Sequence, residues 1–379
     1  MGYNQGLCLL TAALQEGFMD IAIIGLPLSG KTTIFNALTG ANAETSAFSS
    51  HRAEVRVAMV DVPDARVGVL SGMFNPRKTV RAQVRFSDIS GISSGSSRGA
   101  GLDTQVLNAV SKSDAILLVV RAFEDDQVPH PQDEIDPARD LETLRFELLF
   151  SDLTVASRRA ERIEDGMRKA RTDEKPALEA ELALMQRIVA ALEAGQPIRD
   201  LDVSADEARL LRGFQFLTAK PEMVVVNVGE DDDLDGDLGW ANHHRLSLAM
   251  PLKGTLEMEI AQLQGDEAPV FMAEFGLREP GLHALVRSCY DLLGLMAFFT
   301  VGEDEVRAWT VRRNAVAVEA AGTIHSDLAR GFIRAEVLSY EAMIACGTLA
   351  EARRQGKLRL EGRDYVVQDG DILNIRFNV

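Results

Sequence analysis

Three observations predict an α/β fold in which a parallel sheet is interrupted by a helical hairpin and followed by a smaller α+β domain. An apolar run, Ile21–Ile24, leads directly into Gly25-Leu26-Pro27-Leu28-Ser29-Gly30-Lys31-Thr32-Thr33, a G-x-x-x-x-G-K-[ST] phosphate loop. Two further apolar strand runs, Ala115–Val120 and Met223–Asn227, lie about a hundred residues apart, too far for a simple crossover. Between them stand leucines and other apolar residues at helical spacing.

The loop fixes the class of ligand. Gly25 and Gly30 let the backbone turn so that successive N–H groups face a phosphate, Lys31 supplies a point charge for the β and γ oxygens, and Thr32 offers a hydroxyl to Mg²⁺. A helix predicted over 32–38 brings its positive dipole end to the same place. Val55–Val60 and Ala82–Ser87 alternate as half-buried strands, and the second runs into Asp88-Ile89-Ser90-Gly91. An aspartate at a strand end can hold Mg²⁺ through water while the Gly91 N–H reaches the γ-phosphate. Ser93–Gly101 is rich in Gly and Ser and is expected to order around the γ-phosphate.

The insertion reads as two antiparallel helices forming a short coiled coil. Leu141, Leu144, Leu148 and Val155 line one face, Leu178, Leu182, Met185, Val189 and Leu192 the other, and Arg171–Pro176 breaks the pair. Asn227-Val228-Gly229-Glu230 stands where a base is read. Guanine-specific proteins of this architecture carry Asn-Lys-x-Asp there, and the longer Glu230 cannot reproduce the Asp pose, so ATP is expected over GTP. Ser247-Leu248-Ala249 is expected to form the last loop around the base. The nucleotide contacts expected are therefore Gly25, Pro27, Leu28, Ser29, Gly30, Lys31, Thr32, Thr33, Asn227, Val228, Glu230, Ser247 and Leu248. Lys31, Thr32, Asp88 and Gly91 are left for catalysis, and Thr32 and Asp88 for the metal.

Composition narrows the partners. The chain has 379 residues and a net charge of −17, so any nucleic-acid contact has to be local. Thr300–Val379 holds eleven Lys and Arg against twelve Asp and Glu, making it the end that approaches RNA with least repulsion. Arg307, Trp309, Arg312 and Arg313 mix basic and aromatic character, although Trp309 itself reads first as core. His325 reads as a structural hydrogen-bonding residue rather than a catalytic one. Cys8, Cys289 and Cys346 show no metal spacing and no paired framework, which fits a cytoplasmic setting. No stretch approaches the roughly 20 apolar residues of a membrane span, and residues 1–18 read as an optional extension or a misplaced start before Met19.

Together these residues resemble the Obg-like ATPases of the YchF type. The resemblance rests on Gly25-Leu26-Pro27 with Gly30-Lys31, Asp88-Ile89-x-Gly91, Lys220-Pro221 before Asn227-x-x-Glu230, and above all the tail. There Phe298–Gly302, Glu305–Thr310, Ile324–Asp327, Gly331–Glu336 and Leu360–Asp371 carry it. It implies a Ras-like P-loop NTPase (G) domain and a β-grasp TGS domain, divided as 1–18 extension, 19–137 and 206–297 G domain, 138–205 hairpin and 298–379 TGS. It further implies slow ATP hydrolysis with Mg²⁺, ribosome binding through the large subunit or its rRNA, local RNA contact by the TGS domain, and a role in translation or stress.

Departures from the family pattern bear on catalysis. One feature matches: the resemblance implies an apolar residue where related GTPases carry the catalytic glutamine, and Ile92 fills that place. Leu28 replaces an Asn associated with holding a monovalent cation, Leu118 matches a His proposed to assist hydrolysis, and Ser49 and Ser50 are only loose candidates for the switch threonine. The expectation is weak hydrolysis until a partner supplies the missing group. The alternatives are a GTPase or a nucleotide-responsive ribosome- or RNA-binding module with little turnover; a small-molecule kinase would need an acceptor pocket that no motif marks.

Overall fold

The computed structural model describes residues 19–40, 54–90, 102, 104–125, 128, 130, 134–232, 236–263, 265 and 267–378. They fall into two compact units, one holding 19–58 and 85–285, the other 59–84 and 286–379.

In the first unit β1 (Asp20–Gly25) leads into α1 (Lys31–Thr39), and β2 (Glu54–Asp61) follows. The chain then leaves through α2 (Ala65–Phe74) and β3 (Lys78–Val80) of the second unit and returns in β4 (Gln83–Ser90). After α3 (Thr104–Val110) and β5 (Ala115–Arg121) come the hairpin helices α4 (Pro137–Met167) and α5 (Lys175–Glu193) and the short α6 (Ala205–Leu211). The sheet resumes with β6 (Glu222–Asn227) and β7 (Ser247–Leu252), followed by α7 (Gly254–Gln262), α8 (Glu267–Glu274) and α9 (Gly281–Leu292), whose residues from Val286 on belong to the second unit. Its strand order is β2-β4-β1-β5-β6-β7. β1 runs parallel to both β4 and β5, and β5, β6 and β7 are parallel in turn, so their C-terminal ends share one edge. All seven residues of β5 are buried, as a strand covered on both faces should be.

The hairpin departs from the expected face. Leu141, Leu144 and Leu148 of α4 belong to the same core as Leu118, Val120 and Val224 of the sheet. Only further along does α4 pair with α5, through Ala156, Ile163, Leu184, Met185, Ile188 and Leu192. Val155 is 41% exposed; the buried stripe passes instead through Asp152 and Ala156. A carboxylate is tolerated there because it accepts hydrogen bonds from Leu217 N, Thr218 N and the Thr218 hydroxyl. Pro176 sits in the first turn of α5, where its missing N–H leaves nothing unpaired.

The second unit contains β8 (Leu295–Thr300), β9 (Glu305–Arg312), α10 (Ala317–Ile324), α11 (Ser326–Arg330), β10 (Phe332–Ser339), α12 (Tyr340–Cys346), α13 (Leu349–Arg354), β11 (Arg359–Glu361) and β12 (Asp371–Phe377). Its sheet order is β11-β10-β12-β8-β9-β3. Residues 59–84, assigned from sequence to the nucleotide-binding part, thus contribute the edge strand β3 here, paired parallel to β9. Arg66 fastens α2 in this unit by bonding Asp64 and Asp369 and by lying over the Phe299 ring. His325 accepts the Asp327 N–H as the cap of α11, the structural role expected of it. Trp309 is half-buried against the core and donates to the Thr300 hydroxyl, with the Arg307 guanidinium 3.9 Å from its ring centre. Among the described residues no helix is long and apolar enough to cross a membrane.

Candidate nucleotide site

β1 delivers Gly25 to the shared C-terminal edge of the sheet, and a Cβ on Gly25 would overlap the Val119 carbonyl oxygen of β5. Gly30 has φ of 90°, and a Cβ there would overlap the Asn227 amide, so both loop glycines are required by close approach. Ile34 N bonds back to Gly30 O, starting α1 at the loop. The Lys31 ammonium lies across the loop, donating to Gly25 O at 2.9 Å and Leu26 O at 2.8 Å. Burial lowers its pKa, and the charge of Asp88 opposes that effect. Asp88 is fully buried on β4, opposite Ile23 of β1. Thr32 is exposed in the first turn of α1, and Thr33 is half-buried behind it. Pro27 and Leu28 form the outer rim; Leu28 is 50% exposed and holds φ of 63°. The buried Ser29 hydroxyl has no hydrogen-bond partner among the described residues. Gly91, Ile92, Ser49 and Ser50 lie outside the described residues.

Asn227 ends β6 and acts as a clamp. Its Nδ2 donates to Ser29 O at 3.1 Å and its Oδ1 accepts from Gly254 N at 3.0 Å, tying the phosphate loop to the turn after β7. Val228 is half-buried beyond it, and the Glu230 side chain is exposed. Lys253 donates to the Glu230 carbonyl at 2.7 Å.

Ser247 and Leu248 do not form the last loop around the base. They begin β7, paired in register with Glu222 and Met223, at the end of the sheet opposite the phosphate loop. Ser247 is buried there and donates to Glu222. The turn that does reach the site is Lys253-Gly254, where a Cβ on Gly254 would stand 2.7 Å from Asn227 Oδ1. The sequence carried this signal in the glycine that follows the strand. Leu118 is fully buried among the sheet's apolar residues. Arg121 and Phe123 escaped the sequence reading; the buried guanidinium stacks 4.4 Å from the ring centre, and the ring edge lies beside Gly30.

Two family models match the chain. A family described as 50S ribosome-binding GTPase matches residues 20–149, and the C-terminal family of YchF GTPases, described as a protein of unknown function, matches 295–378. A Bacillus subtilis protein named Ribosome-binding ATPase YchF is 40% identical over 368 residues, covering 95% of this chain and 100% of that protein. This chain belongs to the YchF family. An Escherichia coli O157:H7 YchF of the same name is 39% identical, covering 94% of this chain and 98% of its own. The solved structure of the Schizosaccharomyces pombe YchF GTPase superposes with a TM-score of 0.84 at 31% identity, covering 97% of this chain and 99% of that one. The YchF frame thus spans the P-loop unit, the helical insertion and the C-terminal unit alike. Its named members divide between ATPase and GTPase, so the name alone leaves the base open.

Proposed function

We propose that this chain is a Mg²⁺-dependent P-loop ATPase that works with the ribosome as a nucleotide switch in the cytoplasm. The observation that carries the reading is the loop itself: two glycines packed too closely for any side chain, and Lys31 beside a buried Asp88. The ribosome as partner, through the large subunit or its rRNA, is drawn from the names of the relatives.

Thr32 and Asp88 offer a hydroxyl and a carboxylate, the hard oxygen donors that suit Mg²⁺. When bound, the ion neutralises charge on the β and γ phosphates. Lys31, already directed at loop carbonyls, exchanges those partners for phosphate oxygens, and an anion there restores the proton affinity that burial removes. Backbone N–H groups of Gly30 to Thr33 orient the phosphates at the start of α1. Turnover without a partner is slow, since positioning and charge stabilisation are all these residues supply.

ATP is favoured over GTP because Glu230 replaces the guanine-reading Asp. The C-terminal unit takes the TGS role. Competition between Mg·ATP and Mg·GTP on the purified chain tests the base preference, with Glu230→Asp as companion; GTP winning in the parent overturns it. Single-turnover hydrolysis should accelerate with ribosomes, and an unchanged rate would leave a binding module in place of a switch.

A further inference from the structure

We propose that Lys220, in a small pocket at the end of the first sheet away from the phosphate loop, is a site of acylation by acyl phosphates, with Lys112 and Arg212 holding the reagent's phosphate. The pocket lies where the parallel strands β5 and β6 begin, within the first unit, and has a volume of about 90 Å³. Lys112 and Asp114 line it from the turn ahead of β5, and Arg212, Phe216 and Lys220 from the segment ahead of β6. That is room for several waters, and so for the three heavy atoms of an acetyl group.

The amine is held as a nucleophile needs. Nζ donates to Ser111 O at 3.0 Å and to Ser113 O. A neutral amine has two N–H groups and one lone pair, so these two carbonyls satisfy the neutral form completely and leave the lone pair for attack. Only the ammonium carries a third proton. Burial favours loss of that proton, bringing the pKa from 10.5 down to about 8 against the charges of Asp114, Asp152 and Asp20. Lysines made neutral in this way serve as nucleophiles.

The rim selects the donor. Lys112 and Arg212 are exposed there. Against them stands one carboxylate, Asp114, whose Oδ2 accepts the Asp20 N–H at 2.9 Å. Two cations beside a neutral amine suit a reagent that joins a small acyl group to a dianionic leaving group, and a guanidinium takes phosphate oxygens in pairs. The Lys220 lone pair attacks the acyl carbon, the bond from that carbon to the phosphate oxygen breaks, and the oxygen leaves with its electron pair and takes one proton from the nitrogen. With acetyl phosphate, Lys–NH₂ and CH₃CO–OPO₃²⁻ give Lys–NH–COCH₃ and HPO₄²⁻. The product keeps one N–H for two carbonyls and no charge for Asp114, Asp152 and Asp20.

The test treats the folded full-length chain with acetyl phosphate from pH 7 to pH 10 and follows each lysine by peptide mass spectrometry, with Mg·ATP binding as the folding control. At pH 8 Lys220 should acetylate about 10-fold faster than the exposed Lys169 and Lys175, and its rate should level off above that pH. Equal rates overturn Lys220 as the site. In Lys112→Ala/Arg212→Ala the Lys220 rate with acetyl phosphate should fall about 10-fold, while its rate with acetic anhydride, which carries no phosphate, stays within about twofold. A full acetyl phosphate rate in that variant, or an equal fall with both reagents, overturns the phosphate-holding role of the two cations. Labelling of Lys220 by the anhydride alone would show a reactive amine without a phosphate site, overturning acyl phosphates as its donors.

Discussion

Leu28 holds a left-handed backbone, φ 63°, in the middle of the phosphate loop, with half its side chain in water. A non-glycine L-residue in that region pays on the order of 1 kcal/mol, and Asn tolerates it best because its short polar side chain bonds locally. Leu28→Asn should therefore raise stability by about 0.5–1 kcal/mol, since little buried apolar surface is lost in exchange. Chemical denaturation at fixed Mg²⁺ without nucleotide would show it as a shifted midpoint at constant slope; a lower midpoint would mean that Leu28 packs on something worth more than the strain. The glycines and Lys31 of this loop were legible in sequence because the motif is local and its spacing carries the geometry. The clamp by Asn227 was not, because its partner Ser29 lies 198 residues away and the bond uses a backbone carbonyl that no side-chain pattern marks. Ser247 was misplaced for a related reason: an apolar strand of six residues has two ends, and only its pairing with β6 tells which end meets the loop.

Between elements, the strongest polar joint is Glu222. Its carboxylate, 1% exposed, receives Arg145 from α4 at 2.7 Å, Arg199 from the short turn Ile198–Asp200 at 2.7 Å, and the Ser247 hydroxyl of β7 at 3.0 Å. The two guanidiniums beside it hold its pKa down against the effect of burial. Glu222→Ala leaves both guanidiniums buried without their counter-charge and should cost about 3–5 kcal/mol, whereas replacing the whole group with packed apolar residues should cost far less. Equilibrium urea unfolding of the two variants distinguishes these outcomes.

Lys220 makes a second joint, donating to Ser111 O and Ser113 O just past α3. Burial lowers its pKa from 10.5 to about 8 against the pull of Asp114, Asp152 and Asp20. Between these two values the unfolded chain holds a proton that the folded chain has released, so this contribution to stability rises with pH across the window and is flat below about 8. The stability of the parent relative to Lys220→Met should accordingly increase from pH 8 to pH 10; a flat difference would contradict the burial. The buried strand β5 was plain in sequence, as a continuous apolar run is for a strand covered on both faces. The α4 stripe was read one residue off because a buried carboxylate, Asp152, interrupts the apolar period. β3 escaped because it has three residues and pairs with a strand more than two hundred positions later.

At the scale of the whole molecule, a net charge of −17 would repel any polyanion, nucleotide included, unless the receiving surface were locally neutral or positive. The phosphate loop meets that requirement with Lys31 and oriented backbone N–H groups, and its Asp88 calls for a cation to accompany the phosphates. On the proposed Mg²⁺ reading, binding is linked to folding and to metal together. A ligand at 100 times its Kd that binds only the folded state stabilises it by about 2.7 kcal/mol, and a tenfold loss of affinity lowers that to about 1.4 kcal/mol. Mg·ATP at such an excess should raise the thermal midpoint of the parent, EDTA with the same ATP should reduce the shift, and Lys31→Ala should reduce it by at least half. Asp88→Asn should bind ATP with little difference between Mg²⁺ and EDTA, because the carboxylate that makes the phosphates' counter-ion welcome is gone. If Lys31→Ala kept the full Mg·ATP shift, the ligand would be held elsewhere than this loop.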